Sequence, residues 1–240
     1  GFKLKMDTTS PGADTSGNTN TFTPSGSPTL TQGSPSNVYA NLNSIALTTR
    51  QTLSNGNLTG TASSWASAIS TIGVTTGKWY AEVKYVDATG NIMVGVMDEK
   101  DMSSLTGSTS GLGFTTNSVG YYSSDGSKYI ADITSSYGAS YTTNNILGIA
   151  LDMTSATKTV TFYKNNATQG AINLPTTGTG TFFIGTSATN NGKSSINFGE
   201  GFFGTTAAGT NADGNGQGLF AYAVPSGYYA LNTKNLEAYG

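Results

Sequence analysis

The sequence predicts an all-β fold, a two-sheet antiparallel β-sandwich with an extended N-terminal arm and a C-terminal tail. Three observations predict it. Apolar and polar residues alternate with a period of two along many short runs, most clearly in 146–170, ILGIALDMTSATKTVTFYKNNATQG. There Leu147, Ile149 and Leu151 share one face, and Val160 and Phe162 share another, alternating with Thr159, Thr161 and Tyr163. Such alternation marks half-buried strands, and the polar stretch 152–158 fits a hairpin connection. The runs are also separated by short Gly- or Asn-rich links, such as Asn165-Asn166, where the chain turns at little steric cost. Finally, no stretch keeps a 3.6-residue apolar period beyond one or two turns, and many short strands with frequent turns argue for two packed sheets.

The elements follow in order. Residues 2–6 (FKLKM) alternate apolar and basic side chains, as a short edge strand does. Residues 7–36 hold four of the six prolines and almost no large apolar side chains, a linker-like composition. The span 1–36 therefore reads as an extended polar arm, anchored by Phe22 and Leu30 on the sandwich or on a neighbouring subunit. The sandwich spans 37–200, with strands expected at 37–43, 57–62, 78–87, 92–98, 111–115, 118–122, 128–133, 146–153, 157–164, 171–174, 181–186 and 194–198. Residues 65–72 (WASAISTI) fit either one helical turn or a short strand. The tail, 201–240, is Gly/Ala-rich and then aromatic; Phe220, Tyr222, Tyr228 and Tyr229 are expected to pack back on the sandwich, and 231–233 to close against its first strands.

Composition narrows the chemistry. The 240 residues include neither Cys nor His. That removes Ser-His-Asp and Cys-His nucleophile systems and the usual zinc sites, leaving only carboxylate pairs or oxygen-ligand calcium sites. A domain of this length buries about 70% of its unfolded surface, so no disulfides are required. Only 10% of residues are charged and the formal net charge is −2, with no basic patch, so nucleic acid is not an expected partner. No apolar run approaches the ~18 residues of a membrane-spanning helix, so membrane insertion is not expected either. A surface of Ser, Thr, Asn and Gly is common in extracellular and viral β-proteins. The chain starts GFKLKM, as a processed product or a fragment of a longer protein would.

Several segments together resemble the SPRY domain. GKWYAEVKYV (77–86) is similar to its opening strand, in which an aromatic-x-Glu pattern, here Tyr80 and Glu82, follows a Gly. IMVGVMDEKD (92–101) resembles the next strand, with its Val-Gly-Val centre, and GYYSSDGSKY (120–129) the aromatic hairpin after it. The 146–170 hairpin, FFIG (182–185) and INFG (196–199) resemble the later strands. The resemblance implies a bent, jelly-roll-like, concanavalin-like sandwich that binds partners through loops at one end and performs no catalysis. The flanks resemble SPRY-containing structural proteins of marine bacteriophages, in which a Pro-containing segment precedes an Ala-Leu-Asn-Thr close, here Pro225 and 230–233. The stretch 204–218 is longer and more Gly-rich than the usual link, which puts the docking of the tail in question.

Candidate sites are few. Asp98, Glu99 and Asp101 end a strand and could ligate calcium, against the simpler reading of a solvated turn with Lys100 interleaved. Glu82 and Asp152 are the one candidate pair for carboxylate hydrolysis of a glycan, against a sheet hydrogen bond for Glu82 and a turn cap for Asp152. Tyr121, Tyr122, Asp125, Tyr129, Tyr137 and Tyr141 crowd one region, and tyrosines offer flat faces with a polar tip to sugars or proteins. Strand alternation would instead place half of them in the core. By resemblance, the binding loops are those near Trp65, 102–109, 121–127 and 137–145, with Trp65, Tyr121, Tyr122, Asp125, Tyr137 and Tyr141 as partner-binding residues. The Gly-rich run 209–218 has no Lys-Ser/Thr ending, so it is not a phosphate loop.

The expectation is a non-enzymatic virion protein without cofactors, displayed on the particle exterior as a tail or head fibre, an adhesin or a capsid decoration. It would oligomerise within the assembly and contact other virion proteins or a host surface glycan. The alternative is a secreted or cell-surface carbohydrate-binding module.

Overall fold

A computed structural model describes residues 1–4, 10–26, 33–34, 36–106 and 110–240, and divides the chain into two compact units, 1–32 and 33–240. The first unit is organised around Asp14. Its carboxylate accepts the backbone N–H groups of Lys3 (2.9 Å), Ser16 (2.8 Å) and Asn20 (2.9 Å) and the Ser16 hydroxyl (2.9 Å). The Lys3 N–H leads these donors in holding the carboxyl far below the usual carboxylate range. Leu4 bridges to Asp14, so the edge strand expected at 2–6 is a single bridge where it is described. Phe22 meets Phe2 edge to face at 4.8 Å within this unit, whereas the second expected anchor, Leu30, lies outside the described residues.

The second unit is built of short strands. In order they are β1 (Leu42–Leu47), β2 (Gln51–Ser54), β3 (Thr59–Ala62), β4 (Ala66–Ser70), β5 (Lys78–Asp87) and β6 (Ile92–Asp98). A 3-10 helix (Glu99–Thr106) follows, then β7 (Ser118–Tyr122), β8 (Lys128–Ile130), β9 (Ile133–Ser135), β10 (Ile146–Asp152), β11 (Thr159–Lys164) and β12 (Ala167–Asn173). Last come β13 (Phe182–Ala188), β14 (Lys193–Asn197), β15 (Phe202–Phe203), β16 (Thr206–Ala207), β17 (Tyr229–Ala230) and the helix α1 (Thr233–Tyr239). One sheet has the order β1-β4-β13-β6-β7-β8-β9; the other has β12-β11-β10-β5-β14-β3-β2. β14 leaves β5 at the pair Asn197↔Glu82, and β17 adds in parallel to Trp79 and Tyr80. The fold is the antiparallel β-sandwich that alternation predicts.

Alternation also assigns the faces. Odd residues of β5 (Trp79, Ala81, Val83, Tyr85) meet Leu147, Ile149 and Leu151 of β10 in register and form the interior with Val94, Val96, Phe162 and Ile184 of the surrounding strands. Even residues of β5 point outward, yet Tyr80 is 2% and Glu82 0% exposed, because the tail covers them. Phe220 packs edge to face on Tyr80 at 5.2 Å, with Tyr39, Ala150 and Ala230 beside it. The tail closes on the start of the unit, with Ala40 N–H donating to the Leu231 carbonyl (2.9 Å) and Thr233 N–H to that of Val38 (3.0 Å). Asn232 caps α1, its side chain accepting the Asn235 N–H at 2.9 Å. The outer face of the first sheet is covered too, since Leu105 and Leu112 sit on Ile69 and Met97. Gly120 permits this, because a Cβ there would stand 2.2 Å from the Leu112 carbonyl oxygen.

Several elements differ from the sequence reading. Residues 65–72 resolve as strand β4. The run 111–115 is a covering loop, not a strand, because its apolar residue serves the outer face. The run 128–133 reverses at Ala131 and Asp132, which both adopt positive φ (52° and 65°), so it becomes the hairpin β8–β9. Residues 37–41 make only isolated bridges before β1 begins.

Candidate functional site

One end of the sandwich gathers most of the partner-binding loops suggested by the sequence. The pairs Ile146↔Lys84, Ala188↔Ile92, Met93↔Tyr122 and Lys193↔Asp87 place there the loops 88–91, 123–127, 136–145 and 189–192, with Trp65 preceding β4. Between them lies a groove of about 430 Å³, with Asn91, Ser123, Ser124, Thr142, Asn145 and Lys164 in its walls. The walls tie to one another: Ile92 N–H donates to Ser123 Oγ (3.1 Å), Ala88 N–H to Thr143 Oγ1 (3.0 Å) and Lys164 Nζ to the Ser140 carbonyl (2.6 Å). The described part of the loop 102–109, residues 102–106, follows β6 from the opposite end, and at this end Ser110 N–H donates to the Trp65 carbonyl at 3.0 Å; residues 107–109 are outside the described residues.

The six partner-binding candidates divide. Tyr121 and Tyr141 are core side chains, 0% and 4% exposed, with ring centroids 4.9 Å apart. Tyr121 donates to the Ala139 carbonyl, and Tyr141 to the Tyr121 carbonyl at 2.6 Å. Burial pushes both phenols far up, so neither ionises in ordinary conditions. Tyr137 is half-buried beside them, 5.2 Å from the Tyr121 ring; burial pushes its phenol up to about 12, and it donates to the Gly170 carbonyl. Asp125 is exposed and holds its own turn, accepting the Ser127 N–H at 2.9 Å.

Trp65 and Tyr122 come together on the outer face of the first sheet. With Phe114 and Tyr129 they close a ring of four edge-to-face contacts: Trp65–Phe114 5.4 Å, Phe114–Tyr129 5.4 Å, Tyr129–Tyr122 6.0 Å and Tyr122–Trp65 5.6 Å. All four are half-buried, so the cluster presents aromatic surface that the fold leaves uncovered. Sequence reasoning missed Phe114, which sat in an expected strand. The usable signal was the glycine spacing Gly111, Gly113 and Gly120, which lets the loop lie directly on the sheet.

The carboxylates are spent on the backbone. Glu82 accepts the N–H groups of Ala221 (2.8 Å) and Tyr222 (2.9 Å) and the Tyr80 hydroxyl (3.2 Å); burial outweighs these bonds and pushes its carboxyl up to about 7. Asp152 caps its turn, accepting Thr154 N–H (2.9 Å) and Ser155 N–H (3.2 Å), and pairs with Lys78 Nζ at 2.9 Å. Burial opposes its ionisation, but Lys78 and the turn donors hold the carboxyl below the usual range. Glu82 lies opposite Gly148, and Asp152 opposite Lys78. Four residues of strand separate the two, about 13 Å. A carboxylate hydrolase needs about 5–9.5 Å. Asp98, 0% exposed, accepts from Lys100 N–H (2.9 Å), Thr179 N–H (2.8 Å) and Gly180 N–H (2.7 Å), and so pins the loop before β13. The solvated turn therefore describes Glu99 and Lys100 but not Asp98. Asp101 accepts Asn117 N–H at 2.6 Å, and among the described residues no group of three acidic side chains is placed to hold a metal ion.

The SPRY domain family model matches residues 78–201. The fold is similar to the crystal structure of a human SPRY domain, 17% identical over 61% of this chain and 94% of that one, with a TM-score of 0.50. It is also similar to the SPRY domain of human HERC1, 16% identical over 65% of this chain and 96% of that one, at 0.52. The stonustoxin structure matches at 0.52 and 18% identity over 66% of this chain and 27% of its own. No curated protein sequence matches the chain.

Proposed function

The chain belongs to the SPRY domain family, and from that premise we propose that it is a non-enzymatic binding module displayed on the exterior of a bacteriophage particle. The observation that carries the binding reading is the meeting of loops at one end of the sandwich, where a polar groove with Lys164 in its wall lies beside the half-exposed ring of Trp65, Phe114, Tyr122 and Tyr129. Rigid rings and neutral hydroxyls suit a sugar or a protein surface, because they offer contact area with little conformational entropy to lose. Glu82, Asp98, Asp101 and Asp152 accept hydrogen bonds from backbone N–H groups, which supports a structural part for these acids. Support for the virion setting comes from the flanking segments that resemble phage structural proteins and from the Ser/Thr/Asn/Gly-rich surface.

Two measurements test this. Trp65→Ala combined with Tyr122→Ala should weaken binding to host cells or to glycans on an array by tenfold or more while thermal unfolding stays cooperative; undiminished binding by the double variant would remove the aromatic ring from the site. Deleting residues 1–36 should abolish incorporation into particles yet leave 37–240 folded, since the core of the second unit lies wholly within that span. Normal assembly of the truncated chain would refute a docking role for the arm. Binding to a free glycan by a chain that never enters a particle would favour the secreted carbohydrate-binding module instead.

A further inference from the structure

The outer face of the second sheet carries a second cavity, of about 250 Å³, lined by residues distinct from those of the groove between the loops. Its floor is a row of outward residues on neighbouring strands: Thr59 on β3, Ser195 on β14 and Lys84 on β5, which pair in register as Thr59↔Ser195 and Ser195↔Lys84. Lys193, two residues before Ser195 on β14, lines the same cavity; the β5–β14 register shifts between Lys193 and Ser194, so that Lys193 stands opposite Asp87. The turn of the β15–β16 hairpin forms the roof, and Phe203 lines one wall. Gly204, with φ +64°, brings that turn down: a Cβ there would stand 2.9 Å from both Asn55 Nδ2 and Thr59 Oγ1.

Both lysines are half-buried, and no acidic side chain lines the cavity. Within the described residues, neither ammonium has an ion-pair partner, since the ion pair there is Lys78–Asp152. Glu82, the next outward residue on β5, has its oxygens committed to Ala221, Tyr222 and Tyr80. Asp87 is exposed and turns its carboxylate to Thr89, near enough to Lys193 to feel its charge but outside the cavity. Apart from Val86 and Phe203, the remaining walls are neutral hydrogen-bonding groups. Thr59 Oγ1 and Ser195 Oγ share a hydrogen at 2.7 Å, and Asn55 Nδ2 donates to Thr59 Oγ1 at 3.1 Å. Two cations held on one rigid sheet face, neither of them in an ion pair among the described residues, stand under a roof among hydroxyl and amide groups, an arrangement suited to an entering anion.

We infer that this cavity is an oxyanion site, in which Lys84 and Lys193 together take a sulfate, phosphate or carboxylate group while Thr59, Ser195 and Asn55 supply neutral hydrogen bonds. The group is carried either by a free ion or by an acidic polysaccharide; the chemistry that recognises it is the same. The inference stands on this geometry alone and does not depend on what the loop end binds.

The test is an amide chemical-shift titration of the full chain with sodium sulfate, at ionic strength held constant with chloride. Saturable shifts are expected at Lys84, Lys193 and Ser195, with a rise in melting temperature that chloride alone does not give. Lys84→Gln and Lys193→Gln should each weaken sulfate binding by about tenfold, and the double variant should abolish it. Lys128→Gln, on the other sheet, should leave it unchanged. Dextran sulfate against neutral dextran separates the sources: displacement of sulfate by dextran sulfate at a lower concentration of sulfate groups assigns a polymer-borne group, and equal potency per group assigns the free ion. Linear, non-saturating shifts, or a double variant that binds sulfate as the wild type does, would overturn the site.

Discussion

Asp213→Ala is expected to free the C-terminal tail and to cost about 3–5 kcal/mol of stability, the range found when one partner of a buried polar network is removed. Asp213 is only 7% exposed and holds four donors. Its Oδ1 accepts the N–H groups of Asn215 and Gln217, both at 2.9 Å, which shapes the 213–217 turn. Its Oδ2 accepts Ala230 N–H at 2.9 Å and Asn235 Nδ2 at 2.8 Å, which ties that turn to β17 and α1. Ala at 213 would leave these donors buried without acceptors, and water can reach them only if the tail lifts from β5. Lifting the tail would uncover Tyr80, Glu82 and Ala150 as well. Asp213→Asn, which keeps one acceptor oxygen, should cost roughly half as much. Urea denaturation and limited proteolysis between residues 205 and 240 read both effects; an unchanged midpoint with an uncut tail would refute the clasp.

Raising the pH from 5 to 8 is expected to weaken the fold, the reverse of the acid sensitivity that ion-paired carboxylates confer. Burial pushes the Glu82 carboxyl up to about 7 and the Glu200 carboxyl up to about 8. Both lie above the ordinary value of 4.5, so between these pH values the folded chain keeps protons that the unfolded chain has released. Their contribution is complete below about 4.5 and fades as the pH passes through about 7 and 8. At about 1.4 kcal/mol for each tenfold change in proton affinity, Glu82 alone contributes on the order of 3 kcal/mol. Asp101 and Asp152 act oppositely: their carboxyls are held below the usual range, so what they contribute is lost only in stronger acid. Maximum stability should therefore fall near pH 5. Melting curves from pH 4 to 9 check this. Glu82→Gln together with Glu200→Gln, which mimic the neutral acids, should flatten the curve above pH 5. A wild-type melting temperature that rises or stays level from pH 5 to 8 would contradict the assignment.

The sandwich was legible wherever alternation is strong and its ends are punctuated. Lys78–Asp87, Ile92–Asp98 and Ser118–Tyr122 are read to the residue, because aromatic and β-branched residues alternate up to a Gly, Asn or acidic stop. β2 (QTLS) was missed because four mostly polar residues carry no period. The β8–β9 reversal was missed because Ala131 is not a residue that advertises positive φ. Helix α1, with seven residues, is too short to show a 3.6-residue repeat. The functional end was legible as a set of loops, since hairpin order fixes which links share an end. Individual side chains were not: Tyr suits a core and a binding face equally, so only packing separates Tyr121 and Tyr141 from Tyr122. The stretch 204–218, which as sequence put the tail's docking in question, carries Asp213 and so performs that docking.

The pairing of β14 with β3 and of β13 with β4 bears on where this module begins and ends. The segment that carries the family likeness, 78–201, contains neither β3 nor β4, although both are interior strands, and it lacks β17. Excised at those borders, it would expose β13 and β14 as raw edges open to pairing with other chains. The heritable unit of recognition and the physical unit of folding are therefore not coextensive here. Transplanting the binding loops onto another protein requires carrying the whole span 33–240.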